Sequence, residues 1–247
     1  MIDRTHPDVA VLDGPQQVAE ALADAFVSEA RGAIEARGSF YASLSGGTTP
    51  KAAYGLLAQP PRRDTVDWNA VYIFFGDERC VPPDHPDSNY RMAKEAFLDS
   101  VGIPAGNVHR IRGEEEPSEA ARRYAAEVAA ALGGTPHFDF IMLGMGPDGH
   151  TASLFPGTDP LTDDDMLVRA VYVEKFSTHR ITFTPRVINN ARRVVIAVEG
   201  LPKAPALYAV LRGPYDPTLH PIQIVAPPAG RLTWLVDKAA AAELPTK

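Results

Sequence analysis

The sequence has few of the features that mark secreted, membrane-spanning or disulfide-stabilised proteins. Its 247 residues include a single cysteine, Cys80, which excludes a disulfide within the chain. No segment reaches the roughly 18 uninterrupted apolar residues that a membrane helix needs, and the initial MIDRTHPDVAVLDG lacks the apolar stretch of a signal peptide. We therefore expect no membrane association, a reducing compartment and a location in the cytoplasm.

Positive charge is also scarce. The formal net charge at pH 7 is -7 and the isoelectric point is about 5.5, which argues against broad electrostatic attraction to nucleic acid. A small anionic ligand stays compatible with this balance, because it needs only a few cations gathered in one place. The composition, 45% hydrophobic and 22% charged, is that of a globular protein. Since internal repeats and long low-complexity linkers are absent, we expect one domain over residues 1–247.

Several well-known catalytic signatures are missing. The sequence has no G-x-S-x-G elbow for a nucleophilic serine, no H-E-x-x-H for zinc hydrolysis and no G-x-x-x-x-G-K-[ST] P-loop. The histidines other than His150 lack metal-ligand spacing, so we expect no metal site. Nothing in the sequence activates Cys80, which we expect to pack rather than react. Any hydrolysis should therefore use an activated water.

Strand and helix patterns alternate along the chain. The predicted strands are residues 9–12, 39–44, 71–75, 108–111, 138–143, 167–173, 180–183, 193–198 and 232–236, and the predicted helices are residues 16–37, 51–58, 88–100, 119–132 and 203–211. This alternation predicts an α/β fold, with a doubly wound, mostly parallel sheet and helices on both faces.

The most informative segment is LGMGPDGHTASLFPG, residues 143–157. An apolar strand runs into three glycines that allow tight turning, and Asp148 and His150 follow at the carboxyl end of the strand, where α/β sheets bind ligands. A histidine exchanges protons near neutral pH, and an aspartate two residues away can orient it. The segment predicts a catalytic turn; a structural turn with a solvated aspartate and a capping histidine is the alternative.

The same glycines match the dinucleotide-binding pattern G-x-G-x-x-G. The surrounding residues disfavour that interpretation. Asp148 would place a negative charge inside a turn meant for pyrophosphate, and Pro156 interrupts the helix that should follow.

A second glycine turn, SLSGGTTP, covers residues 43–50, after a strand and before a helix. Its backbone N–H groups and the hydroxyls of Ser45, Thr48 and Thr49 are suited to surround an anion at a helix N-terminus. This predicts a phosphate cradle. An ordinary turn, with Thr49 as the helix cap and Pro50 at the first helical position, explains the pattern equally well.

Further charges stand at predicted strand ends. Asp77, Glu78 and Arg79 follow an apolar strand, where three consecutive charges do not suit a core, although a solvated corner is the alternative. Arg180 can grip a phosphate with two hydrogen bonds, and Lys203 can supply a point charge. Each of these two cations alone could equally be a surface charge.

Taken in order, the blocks SLSGGTTP, FFGDER with Asp87-Ser88-Asn89, FDFIMLGMGPDGHTASLFPG, RITFTP and GLPKA closely resemble the 6-phosphogluconolactonase family. The resemblance covers about residues 39–237, and only Thr48 departs from the serine more common in the family's SGGSTP. It implies a Rossmann-like α/β fold without a cofactor. It also implies hydrolysis of 6-phosphoglucono-1,5-lactone to 6-phosphogluconate, the second step of the oxidative pentose phosphate pathway.

The resemblance also implies roles for individual residues. The phosphate would be held by Gly46, Gly47, Thr48, Thr49, Arg180 and Lys203. The lactone would be surrounded by Asp77, Arg79, Asp148 and His150. Neutral His150 would take a proton from water and return it to the departing ring oxygen, Asp148 would orient the imidazole, and Arg79 would stabilise the oxyanion. Whether Asp77 shares the role of base is left open.

Two other functions are kept as alternatives. Aminosugar-phosphate deaminases and isomerases resemble the chain up to Asp-Gly-His but typically continue toward IAFNEP, whereas this chain continues with TASLFP and carries Arg79 in the acidic block. A non-catalytic sugar-phosphate sensor would not require the proton-transfer group His150. The expected partner is a small phosphorylated sugar lactone, with no nucleic acid and no membrane, and the oligomeric state is open.

Overall fold

The computed structural model describes residues 8–158 and 165–245. Its strands are β1 (Asp8–Leu12), β2 (Phe40–Leu44), β3 (Val71–Phe75), β4 (Asp77–Arg79), β5 (Phe140–Gly144), β6 (Val168–Val173), β7 (Thr178–Phe183), β8 (Arg193–Val198) and β9 (Arg231–Asp237). Its α-helices are α1 (Pro15–Arg37), α2 (Thr48–Leu57), α3 (Asn89–Ala93), α4 (Pro117–Leu132), α5 (Pro185–Asn189) and α6 (Ala204–Arg212). No helix in these ranges is long and apolar enough to cross a membrane.

A parallel sheet of six strands, in the order β1-β9-β8-β5-β2-β3, forms the centre of the fold. The chain winds outward from β2 to β3 on one side and from β5 to β8 and β9 on the other. The ladder between β2 and β5 contains only two residue pairs, Ala42 with Phe140 and Ser43 with Ile141. The two strands therefore separate toward their carboxyl ends, and this is the position where open α/β sheets bind ligands.

Aromatic side chains fill both faces of this sheet. On one face, Phe26 of α1 lies edge-on to Phe40 and Phe140, with ring centroids 5.1 and 5.8 Å away. On the other face, Phe74 lies 6.4 Å from Tyr124 of α4. Burying a phenylalanine such as Phe26 contributes about 1.5–3 kcal/mol. The predicted α/β class with a mostly parallel, helix-covered sheet is confirmed.

The predicted strands at residues 167–173 and 180–183 do not join the parallel sheet. They form β6 and β7 of a separate antiparallel sheet, in which β7 pairs with both β4 and β6. In this sheet Arg79 stands opposite Arg180. The sequence does not predict strand β4, because Asp-Glu-Arg has no strand pattern. This segment is a strand because its backbone pairs with that of β7.

Two other predictions need correction. The strand expected at residues 108–111 is wrong: Val108 forms only an isolated bridge with Ile73, because the chain leaves the edge of β3 after that residue. The helix expected at residues 88–100 continues past α3 as a π-helix, Lys94–Leu98. This segment places Phe97 against Tyr54, with ring centroids 5.1 Å apart.

Two buried tyrosines hold the strand ends that approach the ligand-binding edge. The hydroxyl of Tyr124 accepts from the Phe75 amide at 2.7 Å and donates to the Phe75 carbonyl at 3.1 Å. The hydroxyl of Tyr54 makes the same pair of bonds with Ser45, at 3.0 and 2.8 Å. Burial raises the pKa of both hydroxyls well above the ordinary value. Each hydroxyl therefore stays protonated and can donate and accept at once.

We expect Tyr124→Phe to destabilise the fold by about 1–3 kcal/mol, because it leaves the buried amide and carbonyl of Phe75 without their partner. Urea unfolding followed by circular dichroism measures this change. Tyr208→Phe is the matched control, since Tyr208 is 44% exposed and its replacement should leave stability unchanged. Equal stability of the Tyr124→Phe variant and the wild-type protein would contradict the role of this hydroxyl.

Candidate active site

A cleft of about 250 Å³ opens at the carboxyl ends of β2, β3, β5 and β8, where β2 and β5 separate. Eight of the ten predicted site residues line it, namely Gly46, Gly47, Thr48, Thr49, Asp77, Arg79, His150 and Lys203. The other two, Asp148 and Arg180, stand behind His150 and Arg79. Four loops that are far apart in sequence thus meet in one place.

The turn after β5 presents His150 to this cleft. Its Nδ1 lies 2.5 Å from Oδ1 of Asp148. A carboxylate can only accept, so in the neutral imidazole Nδ1 carries the proton and Nε2 has the free lone pair. Gly146 is required for close packing, since any side chain there would collide with the His150 ring. Gly146 therefore makes room for the Asp148–His150 pair.

Asp148 is held between two cationic or potentially cationic groups. Its second oxygen, Oδ2, accepts from Nζ of Lys175 at 3.3 Å. Burial acts to raise the pKa of Asp148, but the hydrogen bond and charge of His150, together with Lys175, outweigh it and hold that pKa below its ordinary value. Asp148 is therefore an anion at neutral pH. Nothing in the sequence pattern indicates Lys175.

An aromatic wall supports the imidazole. The ring of Phe155 stacks on His150 with centroids 4.2 Å apart and planes 27° from parallel. Phe176 in turn meets Phe155 edge-on at 5.8 Å. The imidazole is thus fixed by a carboxylate at one nitrogen and by an apolar ring against its face.

The predicted phosphate cradle lies at the start of α2. Gly47 precedes the helix with φ of 108°, a conformation that favours glycine, and α2 begins at Thr48, three residues before the predicted start. Gly46 packs directly against the Asn89 side chain and leaves no room for a Cβ. The free amides of this helix end can bind an anion.

Lys203 faces this cradle from the loop after β8. Its loop is held by Asp237, whose two carboxylate oxygens accept from the Gly200 amide at 3.0 and 3.1 Å. Burial lowers the pKa of Lys203, while the charges of Glu199 and Asp237 oppose that effect. Glu199 also accepts from the Thr48 hydroxyl at 3.1 Å. The loop thereby brings one cation to the cradle.

Asp77 is buried at the floor of the cleft with donors at both of its carboxylate oxygens. Ser153 donates to Oδ2 at 2.7 Å, and the Asn89 amide donates to Oδ1 at 3.3 Å and to the Asp77 carbonyl at 2.9 Å. These contacts orient Asp77 and give each of its carboxylate oxygens one donor. The sequence pattern indicates no role for Ser153 or Asn89. Both nevertheless lie in blocks that carry the resemblance, Asn89 in DSN and Ser153 in TASLFPG.

Glu78, the neighbouring acid, points away from the cleft and anchors α3. Four donors converge on its carboxylate, from the Arg79 amide, the Ser88 hydroxyl and the amides of Asn89 and Tyr90, at 2.8 to 3.0 Å. Burial raises the pKa of Glu78, and these hydrogen bonds oppose that effect. Glu78 therefore ties β4 to the helix that carries Asn89, which is a structural role.

Two arginines stand side by side at this edge of the antiparallel sheet. Arg79 lines the cleft and donates to the Asp87 carbonyl. Arg180 lies opposite it in β7, outside the set of cleft-lining residues, and its Nε is buried without a hydrogen-bond partner. Burial lowers the pKa of Arg180, and the charge of Arg79 lowers it further. An anion bound beside the pair would relieve this repulsion.

Clustered metal ligands and an ionised thiol are both absent from the described ranges. Among residues 8–158 and 165–245, no three His, Cys, Asp or Glu side chains converge as a metal site would require. Burial raises the pKa of the Cys80 thiol to about 11, so it stays protonated at neutral pH.

Comparison with known proteins identifies related sequences and structures. The family model described as glucosamine-6-phosphate isomerases/6-phosphogluconolactonase matches residues 13–234. A 6-phosphogluconolactonase from Synechocystis sp. is 41% identical in an alignment of 243 positions that covers 96% of this chain and 98% of that protein. The solved 6-phosphogluconolactonase from Trypanosoma cruzi is 27% identical with a TM-score of 0.87, and 98% of each chain is covered.

A monomeric glucosamine-6-phosphate deaminase shares the fold, with a TM-score of 0.81 at 19% identity over 95% of this chain and 99% of that one. This likeness shows a shared fold. The chain belongs to the family of glucosamine-6-phosphate isomerases and 6-phosphogluconolactonases.

Proposed function

We propose that this protein hydrolyses the ring ester of 6-phosphoglucono-1,5-lactone to give 6-phosphogluconate. The observation that carries the proposal is the Asp148–His150 pair, in which Asp148 contacts Nδ1 and the imidazole ring lines the same cleft as an anion cradle. The names of the most similar curated relatives support the same reaction. In this reaction one end of the substrate is a phosphate and the other is an activated ester.

The water is activated by His150. Nε2 accepts a proton as the water oxygen bonds to the lactone carbonyl carbon, and the imidazolium that forms is stabilised by the Asp148 carboxylate at Nδ1. When the carbon–oxygen bond of the ring breaks, the same Nε2 returns the proton to the departing ring oxygen. No proton is gained or lost over the cycle until the product acid ionises.

Arg79 stabilises the tetrahedral oxyanion. Its guanidinium lines the cleft and is held by the Asp87 carbonyl, so it is oriented before the charge develops. Asp77 already has donors from Ser153 and Asn89 on its carboxylate oxygens. We therefore assign Asp77 to orienting the floor of the cleft and the sugar hydroxyls, and His150 alone to proton transfer.

The phosphate binds at the other end of the cleft. The amides at the start of α2, within Gly46–Thr49, supply neutral donors, and Lys203 supplies a charge. Arg180 acts from behind Arg79 and adds to the positive potential. The phosphate cradle and the Asp148–His150 pair thus fix the two ends of one extended substrate.

The first test is a kinetic assay in which glucose 6-phosphate dehydrogenase generates the lactone in situ. We expect 6-phosphogluconate to appear faster with this protein than by spontaneous hydrolysis, and we expect no ammonia from glucosamine 6-phosphate. Ammonia release without lactonase turnover would replace the proposal with the deaminase function. Saturable binding of 6-phosphogluconate by a folded protein with neither activity would favour the sensor.

In the same assay, His150→Ala should lower kcat by about 100- to 10,000-fold with little change in KM, because general-base catalysis is lost while the phosphate cradle remains. His137→Ala is the matched control, since His137 precedes β5 at the opposite end of the strand and should leave kcat unchanged. Wild-type turnover by the His150→Ala variant would exclude His150 as the base.

Lys203→Met should weaken binding of 6-phosphogluconate by about 10- to 100-fold, as expected for loss of a charged hydrogen bond, and should leave binding of gluconate unchanged. Isothermal titration calorimetry measures both ligands, and Arg180→Ala tests the second cation in the same way. Lys238→Met is the control, because this exposed lysine pairs with Asp13 away from the cleft. An equal loss for gluconate would show that Lys203 does not recognise the phosphate.

A further inference from the structure

The turn between β6 and β7 lies against the Asp148–His150 pair. It consists of the short 3-10 helix Glu174–Phe176 followed by Ser177, whose φ of 49° reverses the chain. At the tip of this turn, Nζ of Lys175 reaches 3.3 Å from Oδ2 of Asp148. The opposite oxygen of the same carboxylate is bound to His150.

The turn also reaches His150 through packing. Phe176 meets Phe155 edge-on with centroids 5.8 Å apart, and Phe155 stacks on the imidazole at 4.2 Å. Arg180 lies over the Phe176 ring with its guanidinium carbon 5.3 Å from the centroid. The β6–β7 turn therefore forms an ion pair with Asp148 through Lys175. It also supports His150 through the rings of Phe176 and Phe155.

We propose that Lys175 is a positioning residue that holds the Asp148 carboxylate in place and sets the lower pH limit at which His150 acts as a base. This inference rests on the proposed lactone hydrolysis, because that function assigns the proton transfer to His150. Lys175 places a positive charge next to the Asp148 carboxylate, which in turn orients the imidazole of His150.

The direction of the effect follows from the charges around the imidazole. Asp148 favours protonation of His150, whereas Lys175 adds a positive charge beside Asp148 and disfavours it. Across the cleft stand Asp77, Arg79 and Lys203, and His220 packs against Gly149 from the other side. None of these groups is changed when Lys175 is replaced. Removing the Lys175 charge therefore makes protonation of His150 easier and leaves Oδ2 of Asp148 without its ammonium partner.

The side chain of Lys175 is 56% exposed, so its influence is partly screened by solvent and salt. We expect the acidic limb of the kcat/KM profile to move up by about half a pH unit in Lys175→Met. The difference from wild type should shrink at about 1 M salt, where the Debye length is roughly 3 Å. Lys175→Arg, which keeps the charge, should restore the wild-type limb.

Lys94→Met is the matched control, because Lys94 is also an exposed lysine bound to a carboxylate, that of Asp99. Its acidic limb should coincide with that of the wild type. A shift of equal size in this control would show that any surface lysine has the effect and would overturn the proposal.

A second measurement does not depend on turnover. The imidazole of His150, assigned in NMR spectra by its loss in His150→Gln, should titrate at higher pH in Lys175→Met than in the wild type. If the wild type turns over lactone but both titrations are unchanged by Lys175→Met, the positioning role is wrong and the lactonase function stands. If the NMR titration shifts but the wild type has no lactonase turnover, the proposed function fails and the coupling stands.

Discussion

The separation of β2 from β5 is the constraint on which the rest of the structure depends. All strands of the central sheet are parallel, so their carboxyl ends lie at one edge of the sheet. The chain leaves β2 toward one side of the sheet and β5 toward the other, and the loops after these two adjacent strands therefore leave a gap between them. The ladder of β2 and β5 ends after Ser43 and Ile141. Every loop that carries chemistry enters this gap or borders it, which is why residues more than a hundred positions apart share one cleft.

A gap of this kind is useful only if its loops are rigid, and buried polar contacts supply that rigidity. Tyr54 and Tyr124 each satisfy both backbone groups at a strand end, Glu78 gathers four donors at the start of α3, and Asp237 holds the loop that carries Lys203. A buried polar group with several satisfied partners has one favourable arrangement, whereas apolar contacts tolerate several. These groups stand outside the proposed chemistry, yet they determine where its residues lie.

Much of this arrangement could be predicted from the sequence, because it depends on local patterns. Alternating strand and helix periodicity predicts the α/β fold, and the glycine turns at Gly46 and Gly146 mark the two ends of the cleft. The unpredicted parts arise from contacts between distant segments. Strand β4 exists only because Asp77–Arg79 pairs with β7, and Lys175 meets Asp148 only because the turn after β6 folds against the turn after β5. Contacts between such distant segments leave no periodic or spacing signal near either residue.

The distribution of charge gives a physical reason for an anionic substrate in an acidic protein. The chain carries a formal charge of -7, yet Arg79, Arg180 and Lys203 gather at one edge, and burial lowers the pKa of both Arg180 and Lys203. Burial of these cations is unfavourable in the free protein, and the acidic groups near Arg180 and Lys203 offset only part of that cost. A phosphate at one end of the cleft and an oxyanion beside Arg79 would supply the missing negative charge. The oxyanion exists only in the transition state and the intermediate. Its attraction to Arg79 therefore lowers the reaction barrier and does not stabilise the bound lactone.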